Sequence, residues 1–139
     1  MPEHAYTEIN IHVTWHVQDD QPVLQGQLEK EVHRYIYARA IEEPGVFVHE
    51  IGGTDDHIHF AVTIPPTVLI SEWIGKLKGS SSHFINHLGK DTLLYWQRGY
   101  GVVTFGTRNL PWVIEYVRNQ RQHHASGNLQ LRMERTEPD

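Results

Sequence analysis

The chain contains no cysteine, which rules out disulfides, zinc–thiolate sites and thiol nucleophiles together. No apolar run approaches the roughly 18 residues that a membrane span needs, and residues 1–10 are polar where a secretion signal would carry an apolar core. A cytoplasmic protein with no membrane partner is expected. There is no Gly-x-x-x-x-Gly-Lys phosphate loop, so nothing points to ATP-driven chemistry. Internal repeats and low-complexity segments are lacking too. Positive charge is scarce: 12 Lys and Arg stand against 17 Asp and Glu, a net charge of −5. The shortage is uneven, however. Residues 1–66 hold 3 basic against 11 acidic side chains, and residues 67–125 hold 7 against 3. Phosphate binding follows the local field rather than the total charge, so the second half is where a nucleic acid would sit.

A length of 139 residues with 39% hydrophobic and 21% charged side chains describes one globular domain with a real core. Residues 8–17 alternate, with Ile9, Ile11, Val13, Trp15 and Val17 on one face and Asn10, His12, Thr14 and His16 on the other, the pattern of a half-buried strand. Residues 25–41 carry apolar positions at helical spacing and stop at Pro44-Gly45. Two short strands, 46–51 and 57–64, form a hairpin around Gly52-Gly53-Thr54-Asp55-Asp56. A second helix spans 68–88. Residues 93–105 read as one or two strands bent near Gly99 and Gly101, and a third helix begins after Asn109-Leu110-Pro111 and runs to about residue 124. Residues 126–139 form a charged, loosely held tail. The order β-α-β-β-α-β(β)-α predicts an α+β, ferredoxin-like split βαβ domain over residues 1–125, with an antiparallel sheet and a polar tail over 126–139.

Two residue patterns carry candidate chemistry. His57 and His59 leave the same strand face roughly 6.5 Å apart, close enough to converge on one divalent ion. With eleven histidines in the chain, about 0.8 such pairs arise by chance, so the pair alone is unspecific. Tyr116 and Gln120 stand one helical turn apart on one face, which offers a phenol to attack phosphorus and a carboxamide oxygen to bind the same ion. About 0.35 such pairs are expected by chance. Lys76, Lys78, Arg98, Arg108, Arg118 and Arg121 supply positive charge, Ser80 to Ser82 neutral donors, and Trp96 and Tyr100 stacking surfaces for unpaired bases. Trp73 and Trp112 are assigned to the core, His12, His16, His123 and His124 to the surface, and Asp55 and Asp56 to the turn, with one of the two aspartates orienting His57 as the alternative.

The chain resembles the HUH-superfamily single-tyrosine insertion-sequence transposases, which move elements as single-stranded DNA. The likeness runs through residues 11–24, His57-Ile58-His59 after a Gly-rich turn, Lys76 to Ser82, Trp96 to Gly101, and Tyr116 to Gln120 in the last helix. It implies a DNA transposase in which Tyr116 is the nucleophile and His57, His59 and Gln120 hold a divalent metal, Mg²⁺ or Mn²⁺. Lys76, Lys78, Ser80, Arg98, Tyr100, Arg118 and Arg121 are the DNA-binding candidates. The resemblance further implies metal-dependent cleavage and rejoining of single-stranded DNA through a 5′-phosphotyrosyl intermediate, hairpin-forming element ends as substrate, and a homodimer with shared active sites. The residues leave two other readings open, a non-enzymatic single-strand nucleic-acid-binding module and a metal phosphoesterase that uses water.

Overall fold

The computed structural model describes residues 5–89 and 91–138. The alternating first segment forms β1 (Ile9–His16), and the apolar positions Val32, Ile36 and Ala40, four residues apart, bury one stripe of α1 (Gly26–Ala40). β2 (Phe47–Gly53) and β3 (His57–Ile64) form the hairpin, and α2 (Ile70–Asn86) buries Trp73, Ile74, Leu77, Ser81 and Ile85. β4 (Gly101–Phe105) completes an antiparallel sheet of order β2-β3-β1-β4. This is the split βαβ, ferredoxin-like α+β arrangement: the hairpin returns β3 between β1 and β2, and α2 carries the chain across to the far edge.

The sheet is covered on both faces. One face carries Ile11, Val13, Trp15, Ile58, Phe60, Val62 and Ile64 into a core closed by α1 and α2. The other is covered by α3 (Leu110–Arg118) and by α5 (Leu131–Glu134), with α4 (Gln120–Ser126) between them in sequence. A smaller cluster of Ala61, Val113, Tyr116, Val117 and Met133 lies on that face. α3 comes close enough to β2 that a Cβ on Gly52 would stand 1.9 Å from the Val117 carbonyl oxygen, so only glycine fits there.

The structure corrects several expectations. Residues 93–100 do not form a strand: only Val17 and Trp96 pair, and Gly99, at φ +94°, turns the chain before β4. The last helix is not continuous to residue 124, because Asn119 (φ −107°, ψ 35°) leaves helical geometry and divides α3 from α4. Trp112 is 47% exposed, its indole stacked on Tyr116 rather than sunk in the core. The tail is not loose along its length. Met133 is buried, and Arg132 donates to the Thr104 carbonyl at 2.8 Å. The chain beyond α5 lies so close to β4 that a Cβ on Gly101 would stand 1.8 Å from the Arg135 carbonyl oxygen.

Candidate metal and nucleophile site

The polar face of β1 and β3 is the unusual part of the molecule. Pleating sends His57 and His59 to the face opposite Ile58 and Phe60, and α3, α4 and α5 roof them over, so both imidazoles are buried. β1 pairs with β3 in a register that sets Thr14 opposite His59 and His16 opposite His57. His12 is therefore diagonal to His59, and its Nε2 lies 2.7 Å from His59 Nδ1. The His16 ring stacks on His57 with centroids 4.6 Å apart. The surface assignment of His12 was wrong. Alternation gives its face but cannot show that later helices cover that face.

Each site imidazole has its outer nitrogen engaged and its inner nitrogen turned toward the centre. His57 Nδ1 meets Asp56 Oδ1 at 2.6 Å and Thr54 Oγ1 at 2.9 Å. The turn aspartate thus orients the histidine, the role that sequence could offer only as an alternative. A proton on His59 Nδ1, donated to His12, leaves His59 Nε2 as a lone pair pointing inward. That buried atom has no hydrogen-bond partner. Burial lowers the pKa of both imidazoles and keeps them in the neutral, ligand-competent form.

The structure brings Gln120 and Tyr116 to the same place. Gln120 is fully buried, its amide nitrogen donating to the Tyr116 carbonyl at 3.0 Å. This turns the carboxamide oxygen toward His124 Nε2, 3.0 Å away. The Tyr116 ring lies 6.0 Å from that of His59 and is flanked by Trp112 and His123. Its hydroxyl accepts from the Gln130 amide at 3.0 Å and donates to the Glu134 carboxylate. Burial, reinforced by the hydrogen bond to Glu134, raises the phenol to about 12.

Two members of the site escaped sequence reasoning, His124 and Glu134. Glu134 Oε1 lies 3.6 Å from His57 Nε2, 3.3 Å from His59 Nε2 and 3.4 Å from His124 Nε2. Burial alone would raise this carboxyl, but His59 beside it, with Tyr116 and His57 adding to it, holds it well below the usual range. The ligand atoms of His57, His59, His124 and Glu134 all lie within 4.8 Å of one another. The i,i+4 spacing of Gln120 and His124 was the one available signal for His124. Nothing in the sequence marked Glu134.

The basic candidates are divided. The Lys78 ammonium donates to the carbonyls of Gln97 and Gly99 at 2.7 and 2.8 Å and so pins the loop before β4. Arg118 pairs with Glu50, and Arg121 with Asp55 and Glu29. Ser80 bonds back to the Lys76 carbonyl, and Lys76 is exposed with Glu72 3.8 Å away. Trp96 packs edge-on against Trp15 and donates to Ser81, and Tyr100 is partly buried against the same core. Arg98 lines an open cleft of about 610 Å³ together with Lys78, Gly79, Tyr95 and Trp96. A second cleft of about 420 Å³, lined by His16, Asp56, His57, Arg121 and His124, opens onto the imidazole cluster. Gln18 and Asp19 line the first cleft and Asp20 the second, so one short turn stands between them.

Comparison with known proteins agrees with this architecture. A family model described as "Transposase IS200 like" matches residues 5–120. The transposase for insertion sequence element IS200 of Salmonella typhimurium is 33% identical over 78 residues, which cover 52% of this chain and 51% of the relative, and that of Salmonella typhi matches to the same extent. The chain thus spans about half the length of these curated relatives. A putative transposase from Deinococcus radiodurans shares the fold with a TM-score of 0.67 at 18% identity, covering 85% of this chain and 95% of the other. A REP-associated tyrosine transposase, solved bound to a REP hairpin, superimposes with a TM-score of 0.64 at 15% identity, covering 89% of this chain and 74% of the other.

Proposed function

Because the chain belongs to the IS200-like transposase family, we propose that it cuts and rejoins single-stranded DNA, with Tyr116 as nucleophile and His57, His59 and Gln120 as the ligands of a catalytic Mg²⁺ or Mn²⁺. One observation carries this reading. Glu134 touches both the Tyr116 hydroxyl and the imidazole tips, so the nucleophile and the ion-binding donors border a single space within one chain. The donor set fits a divalent ion: His59 Nε2 is buried without a hydrogen bond, and the Gln120 carboxamide oxygen lies 3.0 Å from His124 Nε2, itself 3.2 Å from His57 Nε2. A bound ion supplies positive charge to the oxygens of the scissile phosphate.

The protein groups do the rest. Asp56 and His12 hold the outer nitrogens of the two imidazoles and so aim Nε2 of each at the ion. The Gln120 amide, tied to the Tyr116 carbonyl, locks nucleophile and ligand into one unit. In the cut, the Tyr116 oxygen forms a bond to phosphorus and the bond from phosphorus to the 3′-oxygen breaks. The departing strand takes a proton from solvent and leaves as a 3′-hydroxyl, and the phenolic proton is lost to solvent as the new bond forms. The 5′-phosphotyrosyl bond conserves the phosphodiester, so another 3′-hydroxyl can reverse the step without ATP. The substrate is hairpin-forming single-stranded DNA, held by the cleft of Arg98, Lys78 and Trp96 beside the site. A homodimer would bring two DNA ends together. The nucleophile and the imidazoles already meet in one chain, so sharing them between subunits is not needed to build the site.

Incubation with labelled hairpin single-stranded DNA and Mn²⁺, followed by a denaturing gel, tests this. A covalent protein–DNA adduct is expected for the wild type and none for Tyr116→Phe or after EDTA. Cleavage that survives Tyr116→Phe without an adduct would point to water as nucleophile and end the proposal.

A further inference from the structure

We propose that His124 and Glu134 join His57 and His59 in a closed, four-donor centre for a zinc-class divalent ion, with the C-terminal segment forming part of the coordination shell. The inference rests on the reading of His57 and His59 as metal ligands and extends it to residues outside the 57/59/120 set.

Four of the six donor separations are those of a four-coordinate site, and all six lie within 4.8 Å. Bonds of 2.0–2.1 Å to nitrogen and oxygen in a tetrahedron place neighbouring donors roughly 3.3–3.4 Å apart. The contacts are 3.2 Å between His57 Nε2 and His124 Nε2, and 3.6, 3.3 and 3.4 Å from Glu134 Oε1 to His57, His59 and His124. The two imidazole nitrogens stand at hydrogen-bond distance, but the three contacts to Glu134 Oε1 are longer than an ordinary N–H···O bond. His124 Nε2 alone faces His57 Nε2, Gln120 Oε1 and Glu134 Oε1, and its single proton can satisfy only one of them. His59 Nε2 is left with no hydrogen bond. Several lone pairs aimed at one buried point repel unless a cation sits among them.

The chemistry of the set selects the ion. Three imidazoles and one carboxylate suit zinc-class metals, whereas Mg²⁺ prefers oxygen donors and retained water. The outer nitrogens of His57 and His59 are already held by Asp56 and His12, the support that metal-binding histidines usually have. The tail is seated to deliver its carboxylate: Met133 is buried, Arg132 is tied to Thr104, and Gly101 admits the Arg135 carbonyl. With Glu134 in place the shell is full, so a scissile phosphate enters only as Glu134 leaves. Mg²⁺ or Mn²⁺ on the open set and a zinc-class ion on the closed one are then two states of one site.

Co²⁺ reports the difference, because four-coordinate Co²⁺ absorbs visible light far more strongly than six-coordinate Co²⁺. Titration of the full chain with Co²⁺ should give the intense spectrum, with competition by Zn²⁺ and not by Mg²⁺. Glu134→Ala and the near-isosteric Glu134→Gln should lose the intense bands. In Glu134→Ala, Zn²⁺ affinity should fall by more than the roughly 10–100-fold that removal of a supporting partner costs. Hydrogen exchange across 128–135 should slow on Zn²⁺ addition in the wild type but not in His59→Ala. An unchanged spectrum and Zn²⁺ affinity in both Glu134 variants and in His124→Ala would overturn the inference, while loss of Co²⁺ binding in His57→Ala and His59→Ala would leave the underlying reading standing. Binding indifferent to His57 and His59 would overturn both.

Discussion

The two faces of the sheet are built from the same strands and do opposite things. Under α1 and α2 every inward position of β1 and β3 is aliphatic or aromatic, and the face is dry and close-packed. Under α3 and α5 the alternate residues of those strands include Asn10, His12, Thr14, His57 and His59, these five buried, with an apolar cluster of only a few side chains beside them. Burying so many polar groups adds little stability even where they are paired. One face supplies the free energy of folding, and the other uses it to hold neutral imidazoles, an amide and a phenol in fixed positions.

The largest effect expected from breaking this division is chemical. Tyr116→Phe should abolish the DNA adduct while costing about 1 kcal/mol of stability, since it removes hydrogen bonds to Glu134 and Gln130 but leaves the ring packed. Next comes a pair of neighbours on β3. Phe60→Ala should destabilise the fold by about 3–5 kcal/mol through cavity formation, and His59→Ala in metal-free protein by only about 1–2 kcal/mol. Urea denaturation of the two variants checks this, and a larger loss for His59→Ala would erase the contrast between the faces.

Acid sharpens the comparison at a third position. His33, on α1 outside the polar face, is lowered to about 4 from 6.5, first by burial and then by Arg121. The Glu29 carboxylate lies 4.0 Å away. The unfolded chain binds this proton more tightly than the folded one, so the contribution is complete above pH 6.5 and is lost as pH falls toward 4. Thermal melts of wild type and His33→Gln should converge by about 2 kcal/mol across that window; parallel curves would show that the imidazole is not held neutral. The smallest effect is local. Gly101→Ala should change global stability by roughly 1 kcal/mol yet expel the tail, visible as faster hydrogen exchange at 131–134.

Local patterns in the chain were a good guide to the first face and to half of the second. Strict alternation in residues 9–17 and 57–64 placed Trp15 and Phe60 in the core and His57 and His59 on the opposite side, because a period of two admits only that division. The i,i+4 spacing of Tyr116 and Gln120 likewise survived the helix break at Asn119. Strand register was not legible, and without it His12 could not be set beside His59. Glu134 was invisible for a different reason. α5 is only four residues long and is positioned by Met133 and a glycine on a distant strand, so neither periodicity nor motif announces it.

On the proposed function, the contact at Gly52 bears on how DNA strands would be exchanged. With the Val117 carbonyl seated against a residue that has no side chain, the helix bearing Tyr116 is keyed to the edge hairpin like a bolt in its slot. A swing that carried the phenol away from the imidazoles would have to drag β2 along or unseat that key. On the proposed function, strand transfer would move the nucleic acid past a stationary tyrosine, and a glycine on an edge strand would help decide which partner travels.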